Sequence, residues 1–303
     1  MSGTERIGIL GIGRMGLPIA RNLVVAGYAV TVFDRNTERS ATSGAAVAES
    51  ATALATESDI LITVLPGVAE IEEAMIGARP LVEWLPVGAL WLDLTSNDPR
   101  VARAIADRAA SRQVQAVGAP MAGGVAAAES GSLRFYVGGA SGAVERARPV
   151  LERVGSPDNV GQSIEAGYLA KLLANLLWFG QVVAVTEALL LGRALGLSPD
   201  TLRNQLAGSA GGSVFIDEYL DRLLSGDYLE TFGIDRCVEE LETLVSLAQG
   251  ADVPFELSST VARLHREALE RFGAIDGELL AAKLLEERAG GALRPGLSRP
   301  SPE

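Results

Sequence analysis

The sequence predicts an α/β fold in its first half and an all-α fold in its second half. Up to about residue 160, short runs rich in Val and Ile alternate with stretches whose apolar residues recur at helical spacing. Such alternation is typical of a mostly parallel, doubly wound sheet with helices on both faces. After about residue 163 the strand-like runs stop, and a long apolar segment precedes five further segments with helical spacing.

The predicted strands are short and are bounded by Gly, Pro or Asp. They cover residues 6–10, 29–33, 60–65, 90–92, 114–117 and 135–137. Helices are predicted between them, for example over 15–26 and 99–111. We therefore expect a first domain over residues 1–163.

The long apolar segment, residues 165–195, contains no Pro. Its longest stretch without a charged residue, 172–186, has about 15 residues, fewer than the roughly 18–20 that a membrane span requires. A helix that is apolar all round is typically buried, so the segment predicts the central helix of an all-α domain over residues 164–290. The Gly-, Pro- and Ser-rich residues 291–303 are predicted to be disordered.

Composition excludes several classes of protein. The net charge of −12 argues against binding to nucleic acid or to an anionic membrane surface. A single Cys, Cys237, permits neither an internal disulfide nor a Cys-based zinc site, and a single His, His265, permits no His-rich metal cage. Both residues are interpreted as packing or surface positions. No metal is expected, and a site built from carboxylates is the alternative that composition leaves open. The N-terminus lacks the pattern of a signal peptide, so we expect a reducing, cytoplasmic location.

A glycine-rich turn directly follows the first predicted strand and opens a helix. It reads Gly11-Ile12-Gly13-Arg14-Met15-Gly16, which is G-x-G-x-x-G. In this context the first glycine permits a tight turn, the second lets the backbone approach a pyrophosphate, and the third lets helix and strand pack closely. The pattern predicts a Rossmann-type dinucleotide-binding domain; the competing interpretation is an ordinary Gly-rich turn.

The second predicted strand ends at Asp34, 18 positions after Gly16. A carboxylate there is placed to accept hydrogen bonds from the adenosine ribose and to repel a 2′-phosphate, which favours NAD. Arg35 follows directly and can bind such a phosphate, so NADP stays open.

Four motifs occur in order along the chain. They are GIGRMGLPIARNL at residues 11–23, DLTSNDP at 93–99, APMAGG at 119–124 with GSL at 131–133, and Gly167 with Lys171 and Asn175. Together they resemble the motifs of the β-hydroxyacid dehydrogenases, the group that includes 3-hydroxyisobutyrate and 6-phosphogluconate dehydrogenases. The resemblance covers the chain apart from its tail. It implies a Rossmann-type domain, an all-α domain on a long interdomain helix, a small-molecule substrate, and a homodimer or homotetramer.

Lys171 is the residue from which the chemistry can be argued. It lies four positions before Asn175, so the two share one face of an otherwise apolar helix. Desolvation and a nearby nicotinamide cation favour the neutral amine of a lysine, which suits a general base that removes a hydroxyl proton. The resemblance assigns this role to Lys171 and assigns Asn175 the positioning of Lys171 and substrate. The competing interpretation is a snorkelling lysine at the start of a helix.

Thr95 and Ser96 take the place of the family's Ser-Thr pair in inverted order. They follow a predicted strand, where open α/β sheets present ligands, and we expect contact with the nicotinamide or the substrate. A turn or N-cap before helix 99–111 is the alternative. The resemblance also assigns cofactor contacts to Leu65 and Pro66.

The substrate motif departs from the family pattern. Ala122 replaces the Ser that binds substrate, Gly118 replaces an Asp, and Ala174 replaces the first Asn of the last motif. The amides of Gly123 and Gly124 remain available to a substrate anion.

A further departure lies at Glu239-Glu240, which align from Phe232 with a Lys-Asp pair of the family. One hypothesis is a less anionic substrate, or one whose amine pairs with Glu239 or Asp235. The alternative is that a carboxylate is still bound by Gly123, Gly124 and Thr95, and that Glu239 faces solvent.

Two other functions compete with a hydroxyacid dehydrogenase. Imine reductases resemble this family but commonly carry Asp or Tyr in place of Lys171, which argues against them, whereas Ala122 argues mildly for them. The second competing function is a dinucleotide-binding module that catalyses no reaction. The chain has a net charge of −12 and no basic arm, which argues against such a module.

Overall fold

The structure is a computed structural model that describes residues 5–294, and the chain divides into two compact units, Met1–Lys171 and Leu172–Glu303. The first unit is a nine-stranded sheet with helices between its strands. The strands are β1 Arg6–Leu10, β2 Ala29–Phe33, β3 Ala46–Val47, β4 Ile60–Thr63, β5 Leu90–Asp93, β6 Gln115–Gly118, β7 Met121–Ala122, β8 Leu133–Gly139 and β9 Gly155–Gly161. The helices are α1 Gly16–Val25, α2 Thr37–Ala41, α3 Ala51–Glu57, α4 Val68–Ile76, α5 Pro99–Ser111, α6 Gly124–Ser130 and α7 Ser141–Leu151, with a 3₁₀ turn at Leu81–Glu83.

The strand order is β3-β2-β1-β4-β5-β6-β8-β7, with β9 paired to β8. Strands β3 to β6 are parallel, whereas β8 runs antiparallel to β6 and β7. The predicted doubly wound sheet is therefore confirmed. The chain order reverses at β1, so a crevice opens beyond the carboxyl ends of β1 and β4, where such sheets bind ligands.

Both faces of the sheet are buried, which explains the nearly continuous apolar runs of the strands. Ile62 of β4 packs in a core that includes Ile19 of α1, whereas its neighbour Leu61 packs in a second core with Ile105 of α5. Successive strand residues point to opposite faces, so one short apolar run supplies both cores.

Strand β9 is an element that the sequence does not predict. Its residues GSPDNVG are of types depleted in strands. It pairs in parallel with β8, from Leu133 opposite Gly155 to Val137 opposite Asn159. A Cβ at Gly155 would lie 2.0 Å from the Leu133 carbonyl oxygen, and Pro is tolerated where a strand has one neighbour. Tertiary packing therefore overrides local preference here.

The second unit is all-α, as predicted. Its helices are α8 Ile164–Ala194, α9 Pro199–Leu206, α10 Leu220–Ser225, α11 Ile234–Gly250, α12 Glu256–Phe272 and α13 Leu280–Arg288, with a π-helical turn at Phe215–Tyr219. The unit boundary falls inside α8, later than the predicted boundary at residue 163. The cause is packing, because Ile164 and Tyr168 belong to a core of the first unit.

Helix α8 meets the length and composition criteria of a membrane-spanning helix within residues 5–294. Its 18-residue window has a mean hydropathy of 1.5, and 44% of that window is buried. A core helix satisfies the same criteria. Leu172, Phe179 and Val183 pack in the core of the second unit, as expected for a central helix.

The predicted disordered tail differs from the structure in its first residues. Leu293 is fully buried in the second unit, and its N–H donates to Glu286 Oε1 at 2.5 Å. Arg193 donates to the carbonyls of Gly291 and Ala292. An apolar side chain that fills the core orders residues 291–294, and the rest of the predicted tail lies outside the described residues.

Cys237 and His265 are both fully buried in the helical unit, which agrees with their interpretation as packing residues. His265 Nδ1 lies 2.9 Å from the Val261 carbonyl, and its ring packs on Phe179. Its Nε2 is buried without a hydrogen-bond partner. Burial lowers the pKa of His265 to about 4 from the ordinary value of 6.5.

This pKa shift predicts an acid sensitivity of stability. Above pH 6.5 the His265 imidazole is neutral in both the folded and the unfolded state. Below pH 6.5 the imidazole of the unfolded chain binds a proton, whereas that of the folded chain stays neutral down to about pH 4. The free energy of unfolding should therefore fall by about 2 kcal/mol between pH 7 and pH 5 and level off below pH 4 with respect to this group. Urea titrations followed by circular dichroism measure the loss. His265→Phe should remove it, and an equal loss in that variant would assign the sensitivity to other groups.

Candidate active site

The glycine-rich turn lies between β1 and α1 at the crevice. Gly11 has φ 98°, and a Cβ there would lie 2.2 Å from the Val64 carbonyl oxygen. A Cβ at Gly16 would lie 2.0 Å from the Gly11 carbonyl oxygen, so glycine is required for close packing of helix and strand. At Gly13 a Cβ would meet nothing within 4 Å, which leaves the backbone open to a ligand. The turn therefore fits a bound dinucleotide as the sequence predicts.

The other residues of the turn have different surroundings. Ile12 is buried in the core, Met15 packs partly against the same core, and Arg14 is exposed. The side chains of Ile12 and Met15 thus contribute packing beneath the turn.

Asp34 follows β2 and braces the same turn. Its Oδ2 accepts from the Ile12 N–H at 2.7 Å, and its Oδ1 accepts from the Asn36 N–H at 2.8 Å. A carboxylate has about four acceptor positions, so further donors such as ribose hydroxyls can bind. Arg35 is exposed. Asp34 therefore links the phosphate-binding turn to the expected adenosine position.

Leu65 and Pro66 follow β4, with Leu65 half-buried and Pro66 exposed. Thr95 is buried, and its hydroxyl accepts from the Leu65 N–H at 3.1 Å. In this structure Thr95 therefore joins the ends of β4 and β5. Asp98 accepts from the Arg100 N–H at 2.7 Å and caps α5, so the N-cap interpretation holds for that residue.

Asp93, at the end of β5, is a fully buried carboxylate that sequence reasoning did not assign to the site. Its Oδ1 accepts from the Thr63 hydroxyl at 2.7 Å and from the Thr95 N–H at 3.0 Å. Its Oδ2 accepts from the Tyr168 hydroxyl at 2.8 Å and from Asn97 Nδ2 at 3.3 Å. Burial raises the pKa of the Asp93 carboxyl, and these hydrogen bonds oppose the rise. Asp93 thus holds the first part of the loop 94–98 in place.

Lys171 is buried, with 7% of its surface exposed, and its ammonium donates to the Ser96 hydroxyl. The structure therefore brings together two predicted site residues that are 75 positions apart. The buried ammonium does not match the snorkelling interpretation. The composition of the sequence also distinguishes this position. Of the 26 Lys and Arg residues, all are Arg except Lys171 and Lys283. Arg cannot lose its proton in a protein, so an acid–base position requires Lys.

The substrate motif spans β7 and the start of α6. Ala122 is half-buried and has no polar side-chain atom. Gly123 and Gly124 follow with φ of 117° and 68°, conformations that favour glycine. Their side-chain-free backbone is exposed.

In the second unit, Asn175 meets Glu240 and not Glu239. Asn175 Nδ2 donates to Glu240 Oε2 at 2.6 Å, and Glu240 is buried. Glu239 pairs with Arg236 at 2.9 Å, and Asp235 lies 3.5 Å from the same guanidinium. Both carboxylates therefore have the Arg236 guanidinium in reach, and recognition of a substrate amine by Glu239 or Asp235 stays a prediction. Across residues 5–294, no group of three or more His, Cys, Asp or Glu side chains is placed to hold a metal ion.

Two family models match the chain. Residues 6–167 match the NAD binding domain of 6-phosphogluconate dehydrogenase, and residues 165–285 match the NAD-binding domain of NADP-dependent 3-hydroxyisobutyrate dehydrogenase. The chain belongs to the β-hydroxyacid dehydrogenase family. As a member it is an NAD(P)-dependent dehydrogenase that acts on CH–OH donors.

Several curated dehydrogenases are similar to this chain over most of their length. The 3-hydroxyisobutyrate dehydrogenase of Pseudomonas aeruginosa is 34% identical over 70% of this chain and 72% of its own. The NAD-dependent L-serine dehydrogenase of the same species is 30% identical over 88% and 93%. The 2-(hydroxymethyl)glutarate dehydrogenase of Eubacterium barkeri is 29% identical over 87% and 89%.

Solved structures agree with this family. The Mycobacterium tuberculosis 3-hydroxyisobutyrate dehydrogenase with L-serine has a TM-score of 0.81 and 27% identity, covering 93% of this chain and 99% of its own. An imine reductase from Pseudomonas sp. has a TM-score of 0.57 and 21% identity, covering 93% and 99%. The imine reductase likeness shows a shared fold alone.

Proposed function

We propose that this β-hydroxyacid dehydrogenase oxidises the CH–OH group of a small β-hydroxy carboxylate, or reduces the carbonyl in reverse, with Lys171 as the general acid and base. The observation that carries the proposal is the buried Lys171 ammonium against Ser96 beyond the end of β5. The relatives support the substrate class, because 3-hydroxyisobutyrate, L-serine and 2-(hydroxymethyl)glutarate each combine a hydroxymethyl group with a carboxylate.

The chain's own residues supply proton transfer and positioning. A bound nicotinamide cofactor supplies the hydride acceptor or donor. In the oxidative direction the Lys171 amine takes the hydroxyl proton, and the Ser96 hydroxyl then accepts from the ammonium and holds it in place. In the reductive direction the ammonium returns that proton to the forming alkoxide. Burial keeps bulk water from competing for the proton.

NAD is the cofactor that we propose, because Asp34 presents a carboxylate where a 2′-phosphate would add a second negative charge. The exposed Arg35 guanidinium is the feature that favours NADP.

Initial rates with a substrate panel test the function. The panel contains 3-hydroxyisobutyrate, L-serine, glycerate and 2-(hydroxymethyl)glutarate, a neutral alcohol, and the cyclic imine 2-methylpyrroline, each with both cofactors. Saturable oxidation of at least one hydroxy carboxylate, above the neutral alcohol, is expected. Turnover confined to the imine would instead establish imine reduction.

A homo-oligomer, dimer or tetramer, is part of the proposal. Helix α8 exposes an apolar face, defined as Leu173, Leu177, Ala184, Ala188 and Leu191. Leu177 and Leu191 are 67% and 62% exposed, and the positions recur at helical spacing. A contiguous apolar face of this kind marks an interaction site, and a second copy of the chain is the partner that we propose.

Light scattering on the purified protein should therefore give at least twice the 31.6 kDa chain mass. Leu177→Glu should shift the protein towards the monomer, because it places a charge in the apolar face. Leu257→Glu is the matched control, since Leu257 is 78% exposed on α12 outside that face. A monomeric wild type, or equal effects of both variants, would contradict this assignment.

A further inference from the structure

Tyr168 lies one turn before Lys171 on α8, and its ring is buried in the first unit. Its hydroxyl donates to Asp93 Oδ2 at 2.8 Å. Burial and the neighbouring Asp93 raise the pKa of Tyr168 well above its usual value, so the phenol stays a donor. The proton-transfer chemistry assigned to Lys171 makes no direct use of this buried group.

The ring fits because position 118 carries no side chain. A Cβ at Gly118 would lie 2.5 Å from Cε2 and 2.8 Å from Cζ of Tyr168. Gly118 stands where the family pattern has an Asp. In this chain the missing carboxylate therefore leaves the space that Tyr168 occupies to reach Asp93.

Asp93 connects this contact to the loop that meets Lys171. The Tyr168 hydroxyl and the Thr95 N–H donate to the two carboxylate oxygens, one from α8 and one from the loop 94–98. Ser96 is the next residue of that loop, and its hydroxyl accepts from Lys171. Tyr168 and Lys171 thus form two successive contacts between α8 and the end of β5. Two contacts constrain both the rotation and the translation of residues 164–171 of α8 against that strand end.

We propose that Tyr168 and Asp93 act as a buried positioning pair that holds the Lys171 ammonium against the Ser96 hydroxyl. This inference deepens the proposed function and rests on the acid–base role of Lys171. Neither Tyr168 nor Asp93 touches the reacting atoms. Their effect on turnover passes through the position of Lys171.

Kinetics of Tyr168→Phe form the first arm of the test. The variant keeps the ring and removes one donor, while Asp93 retains Thr63, Thr95 and Asn97. The turnover number kcat should fall roughly 10- to 100-fold, the range that a small misplacement of a catalytic group produces, whereas KM and the Kd for NADH should stay close to wild type. Ser96→Ala should also lower kcat, and the double variant should be no slower than the slower single variant. Additive losses would show that Tyr168 acts independently of the Lys171–Ser96 contact.

Tyr28→Phe is the matched control, because it removes a hydroxyl that donates to the Pro149 carbonyl at 3.3 Å in the same unit. It should leave kcat unchanged. A loss equal to that of Tyr168→Phe would overturn the proposal.

A spectroscopic arm needs no substrate. The chain has two lysines, so Lys283→Arg leaves Lys171 as the one source of a lysine 13Cε signal. In that background Tyr168→Phe, Ser96→Ala and Asp93→Asn should each move the signal, and Tyr28→Phe should leave it in place. A signal unmoved by both Tyr168→Phe and Asp93→Asn would overturn the positioning role. If the signal moves but the wild type oxidises no hydroxy carboxylate, the positioning pair stands and the proposed function fails.

Discussion

Replacement of Lys171 by Ala is expected to lower kcat by roughly 10²–10⁴-fold, the usual contribution of a positioned general acid or base. The physical reason is that no positioned amine then takes the proton of the substrate hydroxyl. The affinity for NADH should stay nearly unchanged, because the residues of the Gly11–Gly16 turn and Asp34 remain intact. Steady-state rates and NADH fluorescence titrations measure the two quantities separately.

Two control variants separate the proton transfer by Lys171 from the effect of its positive charge and from the effect of removing any lysine. Lys171→Arg keeps a cation but cannot release its proton, so it should be as slow as the Ala variant. Lys283→Ala removes the other lysine, which packs over the rings of Tyr228 and Phe272 in the second unit. It should retain wild-type kcat. A Lys171→Ala enzyme with most of its activity would refute the acid–base assignment.

Asp34→Ala is expected to weaken NAD binding more than NADP binding. A hydrogen bond to a charged group is worth about 1.5–3 kcal/mol, so the KM for NAD should rise roughly 10- to 100-fold. The KM for NADP should change less or fall, because the repulsion of the 2′-phosphate is removed while Arg35 remains. The ratio of kcat/KM for the two cofactors is the measured quantity.

The structure supplies the control for this prediction. Asp34 also accepts from the Ile12 N–H at 2.7 Å, so its removal loosens the turn for both cofactors. Asp34→Asn keeps an acceptor for the turn and loses the charge, so it should lower the NAD affinity less than Asp34→Ala does and still raise the relative use of NADP. If both variants lost kcat/KM equally for NAD and NADP, other residues would bind the adenosine ribose and distinguish the two cofactors.

Local signals made the central part of the fold predictable. The strands β1 and β2 and the helix α5 have the predicted bounds, because their apolar runs, turn residues and N-cap are all local features. The glycine turn was predictable for the same reason. A positive φ at Gly11 and contacts shorter than 3 Å at Gly11 and Gly16 are requirements that one residue type meets.

The edge of the sheet was not predictable from local preference. Strand β9 contains Gly, Pro, Asp and Asn, and it exists because β8 offers a pairing edge with room for Gly155 and no larger residue. The order of residues 291–294 has the same kind of cause, since Leu293 fills a core formed by distant helices.

The sequence by itself determined the two-part architecture and the dinucleotide turn, because each depends on periodicity or spacing within one segment. Its resemblance to the family singled out Lys171 as the proton-transfer candidate. Tertiary structure alone decided that Ser96 meets Lys171, that Thr95 braces β4, and that Asp93 gathers four donors. It also decided that Glu240 and not Glu239 meets Asn175. Neighbouring helix positions differ by about 100° around the axis, so the two adjacent carboxylates of α11 point in different directions. The packing of α11 determines which of them turns inward, and an alignment of sequence motifs does not contain that packing.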